Sequence, residues 1–107
     1  MATISTPEPN LLVLTGEIDL NESPAVKEAF RAVLAGKPGR ILVDCSGVTY
    51  MDSSGLAVLI EAMQRLHATG GKLALFGLRE SVRNILHIAR LDQVFQIYPD
   101  RAAAERE

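Results

Sequence analysis

The run Thr49-Tyr50-Met51-Asp52-Ser53-Ser54-Gly55-Leu56 follows the apolar triplet Ile41-Leu42-Val43 and leads into Leu59, Ile60, Met63 and Leu66. The triplet reads as a short central strand and the polar run as a turn. The apolar residues from Leu56 onward form one stripe of an amphipathic helix, opposed by Glu61, Gln64 and Arg65. A strand that passes through a turn into a helix is the building unit of an α/β fold. Two adjacent serines, Ser53 and Ser54, stand where that helix should begin. There the first-turn N–H groups lack intrahelical partners and the macrodipole is positive. A hydroxyl can cap such an end, and a phosphate ester is electrostatically favoured at it. Chemistry alone leaves both readings open, because Ser, Asp and Gly are also ordinary turn and cap residues.

Upstream, Leu11-Leu12-Val13-Leu14-Thr15 reads as a buried strand, with residues 2–6 as an edge strand paired to it across Pro7-Glu8-Pro9-Asn10. Ser23-Pro24 predicts a helix start with serine as cap and proline at the first helical position. Val26, Ala29, Phe30 and Val33 then recur at helical spacing, and Gly36, Pro38 and Gly39 end the helix. Downstream, Gly70-Gly71 stops the second helix in the manner of a glycine C-cap. Leu73-Ala74-Leu75-Phe76 is another strand, Val82, Ile85, Leu86 and Ala89 mark a third helix, and residues 94–98 form a last strand. Residues 100–107 add a short, frayed terminal helix. The alternation predicts an α/β fold: a mixed sheet of about five strands with three to four helices packed on it.

Composition narrows the function classes. The chain has 107 residues, 48% of them hydrophobic and 22% charged, and reads as one domain over residues 1–107 without internal boundaries. No apolar run approaches the ~20 residues that span a bilayer, so no membrane insertion is expected. Residues 1–10 lack the basic stretch and apolar core of a secretory signal. A lone cysteine, Cys45, fits a reducing cytoplasm and reads as a small semi-buried side chain at a strand end. The net charge is −2 and the basic residues are scattered, which argues against nucleic-acid binding.

No catalytic constellation emerges. A serine nucleophile needs a base within hydrogen-bond reach and an oxyanion hole. His67 falls late in the second helix, roughly 20 Å from Ser53 at the helical rise, and nothing places His87 at the turn. A receiver-type Mg²⁺ site would need clustered oxygen ligands and a basic residue at a later strand end, but Lys72 opens its strand. No enzyme activity, metal or cofactor is therefore expected. Asp52, Glu17 and Asp19 should follow strand ends on one side of the sheet, and Asp44 is expected to hydrogen-bond the backbone of the serine turn. Gly55 reads either as turn geometry or as a position that lets another backbone or a phosphate approach closely.

Two motifs together, Leu14-Thr15-Gly16-Glu17-Ile18-Asp19 and Met51-Asp52-Ser53-Ser54-Gly55-Leu56, resemble the bacterial anti-sigma-factor antagonists of the STAS domain family. The Ile-Leu-Val-Asp strand, Gly70-Gly71-Lys72 and Val82-Arg83-Asn84-Ile85-Leu86 extend the resemblance over residues 10–98. It implies a phosphorylation-controlled partner switch, and a monomer is the default expectation for the free chain. The unmodified chain binds an anti-sigma factor that is also a serine kinase and thereby releases the sigma factor. Phosphorylation at Ser53 ends the binding, and a PP2C-type phosphatase resets it. Ser54, one position away, is the second candidate and otherwise a supporting cap. The resemblance places Asp19 in kinase recognition, the alternative being a solvated loop carboxylate that caps the following helix, and it implies a docking surface on Glu17, Asp19, Asp52, Ser53, Ser54, Gly55, Ala57 and Glu61.

The chain departs from close relatives at Arg79-Glu80-Ser81, which lacks a Ser-Pro helix start, and at Asn21-Glu22, in a region expected to set partner choice. The alternatives are a STAS regulatory subunit of a lipid or anion transporter complex and a signalling scaffold of many STAS domains. The paired serines after Asp52 favour the switch.

Overall fold

A computed structural model describes residues 2–106. The chain runs β1 (Ala2–Glu8), β2 (Leu11–Ile18), α1 (Ser23–Leu34), β3 (Arg40–Met51), α2 (Ser53–Ala68), β4 (Lys72–Phe76), α3 (Glu80–Ile88), β5 (Gln96–Tyr98) and α4 (Arg101–Glu105). The strands form one mixed sheet in the order β1-β2-β3-β4-β5. A hairpin makes β1 antiparallel to β2, and all other neighbours are parallel. The α/β architecture of five strands and four helices is the one expected.

Both faces of the central strands are covered, which is why they read as nearly continuous apolar runs. On one face Leu12, Leu14, Ile41, Val43 and Leu75 pack with Val26 and Phe30 of α1, Leu59 and Leu66 of α2, and Val82 and Leu86 of α3. On the other, Leu11, Leu42, Ala74 and Phe76 pack with Ala104 of α4. The terminal helix is thus docked rather than frayed. Asp100 caps it through the Ala103 amide at 2.9 Å, Arg101 pairs with Glu8 at 2.7 Å, and the Arg40 guanidinium donates to the carbonyls of Ala104 and Glu105.

The central strand is longer than the triplet suggested. β3 continues to Met51, and its register against β2 shifts between Val13 and Thr15 and again between Gly16 and Glu17. Each shift sets one extra β3 residue against β2, which is a β-bulge. The inward sequence is therefore Ile41, Val43, Cys45, then Val48, then Met51. Strict alternation would have turned Val48 to the opposite face from Cys45.

Other element ends also differ from expectation. Ser23 does not cap α1: Glu22 holds the cap position, and Ser23 is the first helical residue, buried. No side chain caps α1; Asp19 orders the approach to it, its carboxylate accepting from the amides of Asn21 at 3.0 Å and Glu22 at 3.1 Å and its carbonyl from the Ser23 amide at 2.8 Å. β5 starts at Gln96, because Phe95 turns inward to the core. The end of α2 is as read. Gly70 takes a φ of +81°, and the amides of Gly70 and Gly71 bond back to His67 and Leu66 in a Schellman arrangement.

Candidate functional site at the serine turn

The parallel pairing of β2 with β3 brings their carboxyl ends together. Glu17 lies opposite Tyr50, Ile18 opposite Met51, and the Asp52 amide donates to the Ile18 carbonyl at 3.2 Å. Glu17, Asp19 and Asp52 are therefore neighbours at one end of the sheet, as their predicted strand-end positions required. Glu17 is the last but one residue of β2, so it belongs to the strand and not to the turn.

Asp52 is the cap of α2. With an extended backbone, its Oδ1 accepts from the Ser54 amide at 2.9 Å, the Gly55 amide at 3.3 Å and the Ser54 hydroxyl at 2.5 Å. The hydrogen bond from the Ser54 hydroxyl, joined by those from the Gly55 and Ser54 amides, holds the Asp52 carboxyl below the usual carboxylate range. A depressed native pKa contributes stability above the unfolded value, and that contribution fades as pH falls through the native one. Asp52→Asn keeps a capping oxygen but cannot titrate. It is expected to flatten part of the acid-side loss of Tm, measured as the pH falls below about 5.

The two serines are distinct in environment. The Ser54 hydroxyl donates to Asp52 and lies 3.1 Å from the Ser23 hydroxyl, which donates to it. Ser54 thus braces the cap residue and ties α2 to α1; it is not itself the cap. Ser53 occupies the first helical position, is exposed, and its hydroxyl has no hydrogen-bond partner among the described residues. Of the two hydroxyls, Ser53 is the one free to meet another molecule.

Gly55 is buried, and the close approach it permits is internal. A Cβ there would lie 2.6 Å from the Met51 Cγ and 3.0 Å from both the Ile18 Cγ2 and the Ile18 carbonyl oxygen. This corrects the reading in which Gly55 admits a partner's backbone or a phosphate. Ala57 is exposed one turn along α2. Glu61 is half-buried and bridges the helices, 3.6 Å from Lys27 of α1 and 3.6 Å from Arg65.

Asp44 does not reach the serine turn. It lies mid-strand at the first bulge, where its carboxylate accepts from the amide and hydroxyl of Ser46 at 2.9 and 2.6 Å. Cys45 is mid-strand and fully buried, and burial, reinforced by the Asp44 charge, pushes its thiol up to about 12. It stays protonated and chemically quiet near neutrality. His67 is exposed in the last turn of α2, and His87 is exposed and 2.9 Å from Asp92. Neither is at the turn. Among the described residues no group of His, Cys, Asp and Glu is placed to hold a metal ion, and no helix is long and apolar enough to cross a membrane.

Two residues beside the turn escaped the sequence reading. Leu20 is 73% exposed and Tyr50 is 47% exposed. For Leu20 the available signal was an apolar residue in the otherwise polar run Asp19-Leu20-Asn21-Glu22.

A family profile described as the STAS domain matches residues 2–104. The chain is 37% identical over 87 residues to an anti-sigma-B factor antagonist of Listeria monocytogenes, covering 80% of this chain and 75% of that protein. It is 33% identical over 91 residues to an anti-sigma-F factor antagonist of Mycobacterium tuberculosis, covering 82% and 71%. The fold superposes on the crystal structure of an anti-sigma factor antagonist from Mycobacterium paratuberculosis with a TM-score of 0.86 and 28% identity, over 99% of this chain and 92% of that one.

Proposed function

This chain belongs to the STAS domain family, and from that premise we propose that it is an anti-sigma-factor antagonist working as a phosphorylation-controlled partner switch. Unmodified, it binds an anti-sigma factor that is also a serine kinase, and the sigma factor is released. The kinase transfers the γ-phosphoryl group of ATP to the Ser53 hydroxyl, which ends binding, and a PP2C-type phosphatase restores the hydroxyl. The chain acts by binding and contributes no catalytic step of its own. Its docking surface comprises Glu17, Asp19, Asp52, Ser53, Ser54 and Ala57, with Glu61 at its far margin and Gly55 beneath it.

One observation carries the choice of residue. The Ser53 hydroxyl is exposed and unengaged, whereas that of Ser54 is occupied on both sides by Asp52 and Ser23. Phosphorylating Ser54 would break a charge-assisted bond and insert a second anion against Asp52. Phosphorylating Ser53 breaks nothing, and the positive end of α2 tolerates the charge.

The test is incubation with ATP and the cognate anti-sigma-factor kinase, followed by intact-mass measurement and site mapping. The chain should gain one phosphate, at Ser53. Ser54→Ala should gain the same phosphate and lose about 1.5–3 kcal/mol of stability, the worth of a hydrogen bond to a charged group. A phosphate mapped to Ser54 would overturn the assignment.

A further inference from the structure

Leu20 offers its side chain to solvent from a hydrogen-bonded turn. The Glu22 and Ser23 amides close that turn by donating to the Asp19 carbonyl at 3.0 and 2.8 Å. The Asp19 carboxylate holds the amides of Asn21 and Glu22. The 73% exposed leucine is thus mounted rigidly beside the phosphorylation turn. An exposed apolar residue alone means little. A pre-ordered one loses little freedom when a partner covers it, and interface anchors sit in desolvated pockets ringed by polar groups.

The surroundings supply the ring and its sign. The two segments that build this surface, residues 17–26 and 50–61, contain Glu17, Asp19, Glu22, Asp52 and Glu61 and no lysine or arginine. The nearest cation along α1, Lys27, is paired with Glu61. Such a surface disfavours a second copy of itself and complements a basic one.

We propose that Leu20 is the apolar, specificity-determining anchor of the switch, seated in an apolar pocket of the anti-sigma-factor kinase whose rim carries Arg or Lys side chains facing Glu17, Asp19 and Asp52. The inference rests on the partner-switch reading above and adds the residue that discriminates among kinases. It also gives the phosphate a target, because a charge at Ser53 alters the rim that must close around Leu20.

The experiment compares the full chain with Leu20→Ala and Leu20→Met, using the kinase that phosphorylates Ser53 in the mapping assay. Calorimetric titration at low and high salt gives Kd, and steady-state phosphorylation gives kcat and KM. Leu20→Ala should weaken binding about tenfold or more and raise KM with little change in kcat. Leu20→Met should stay within about threefold of the parent, because its volume and apolarity are similar. Thermal unfolding of both variants should match the parent, since the side chain is exposed. Binding should weaken as salt rises. Leu20→Ala binding within about twofold of the parent, or binding indifferent to salt, overturns the proposal while leaving the switch intact. If the parent chain itself is neither bound nor phosphorylated, the switch reading falls and the anchor with it.

Discussion

Ser53→Ala is expected to bind the anti-sigma partner as the unmodified chain does and to accept no phosphate at all. The hydroxyl it removes has no partner among the described residues, and alanine is the best helix former, so stability should change by less than about 0.5 kcal/mol. Ser53→Asp should bind more weakly, on the order of 100-fold if the added charge meets an interface already ringed by Glu17, Asp19 and Asp52, since like-charge juxtaposition costs several kcal/mol. Phosphoserine, with about −1.5 to −2 charges, should be weaker still. Titrating the kinase with each variant, with ATP omitted, separates binding from modification. Failure of Ser53→Ala to bind would mean that the hydroxyl is itself a contact. Residual phosphorylation of that variant would mean that the acceptor lies elsewhere.

Gly55→Val is expected to lower stability by about 3 kcal/mol, because overpacking a dense core forces shifts of that cost. The first added carbon already meets Met51 and Ile18 at sub-van-der-Waals distances, and one of the contacted atoms is a backbone carbonyl oxygen that cannot rotate away. Valine also brings a branched carbon into the first turn of α2, so little of glycine's helix penalty is recovered. The urea midpoint should fall with an unchanged m-value. A midpoint equal to the parent's would show that α2 can lift from β2 at no cost, contrary to the packing seen. The consequence for function is positional: Gly55 sets how closely the first turn of α2, and Ser53 on it, lies against the end of β2.

The sequence was most legible where local chemistry and periodicity agreed. The apolar stripe of α2, the glycines after it and the order of strands and helices all follow from side-chain spacing, and the parallel order then brings Glu17, Asp19 and Asp52 together. It was least legible where an element depends on its neighbour. Val48 and Met51 are three residues apart, which matches no strand period until the bulges against β2 are known. The capping of α2 by Asp52 and the bracing by Ser54 use the same residue types, so their order could be assigned only from which atom meets which amide. Ser23 carried every mark of a cap, yet an Asx turn at Asp19 leads the chain into α1 without a side-chain cap, and the Ser23 hydroxyl goes to Ser54. Ala104 gave no sign of docking, because an alanine looks the same in a frayed helix and in a seated one.

The hairpin at one edge and the anchored helix at the other terminus have a practical corollary for handling the molecule. Ala2 pairs with Gly16, next to Glu17, so a peptide or support attached ahead of it would emerge on the rim around Ser53. Arg40, at the opposite end of the sheet, grips the carbonyls of Ala104 and Glu105. An affinity tag or sensor-chip linkage following Arg106 would leave the serine turn unobstructed, whereas one ahead of Ala2 would shade it and could be mistaken for a phosphorylation effect.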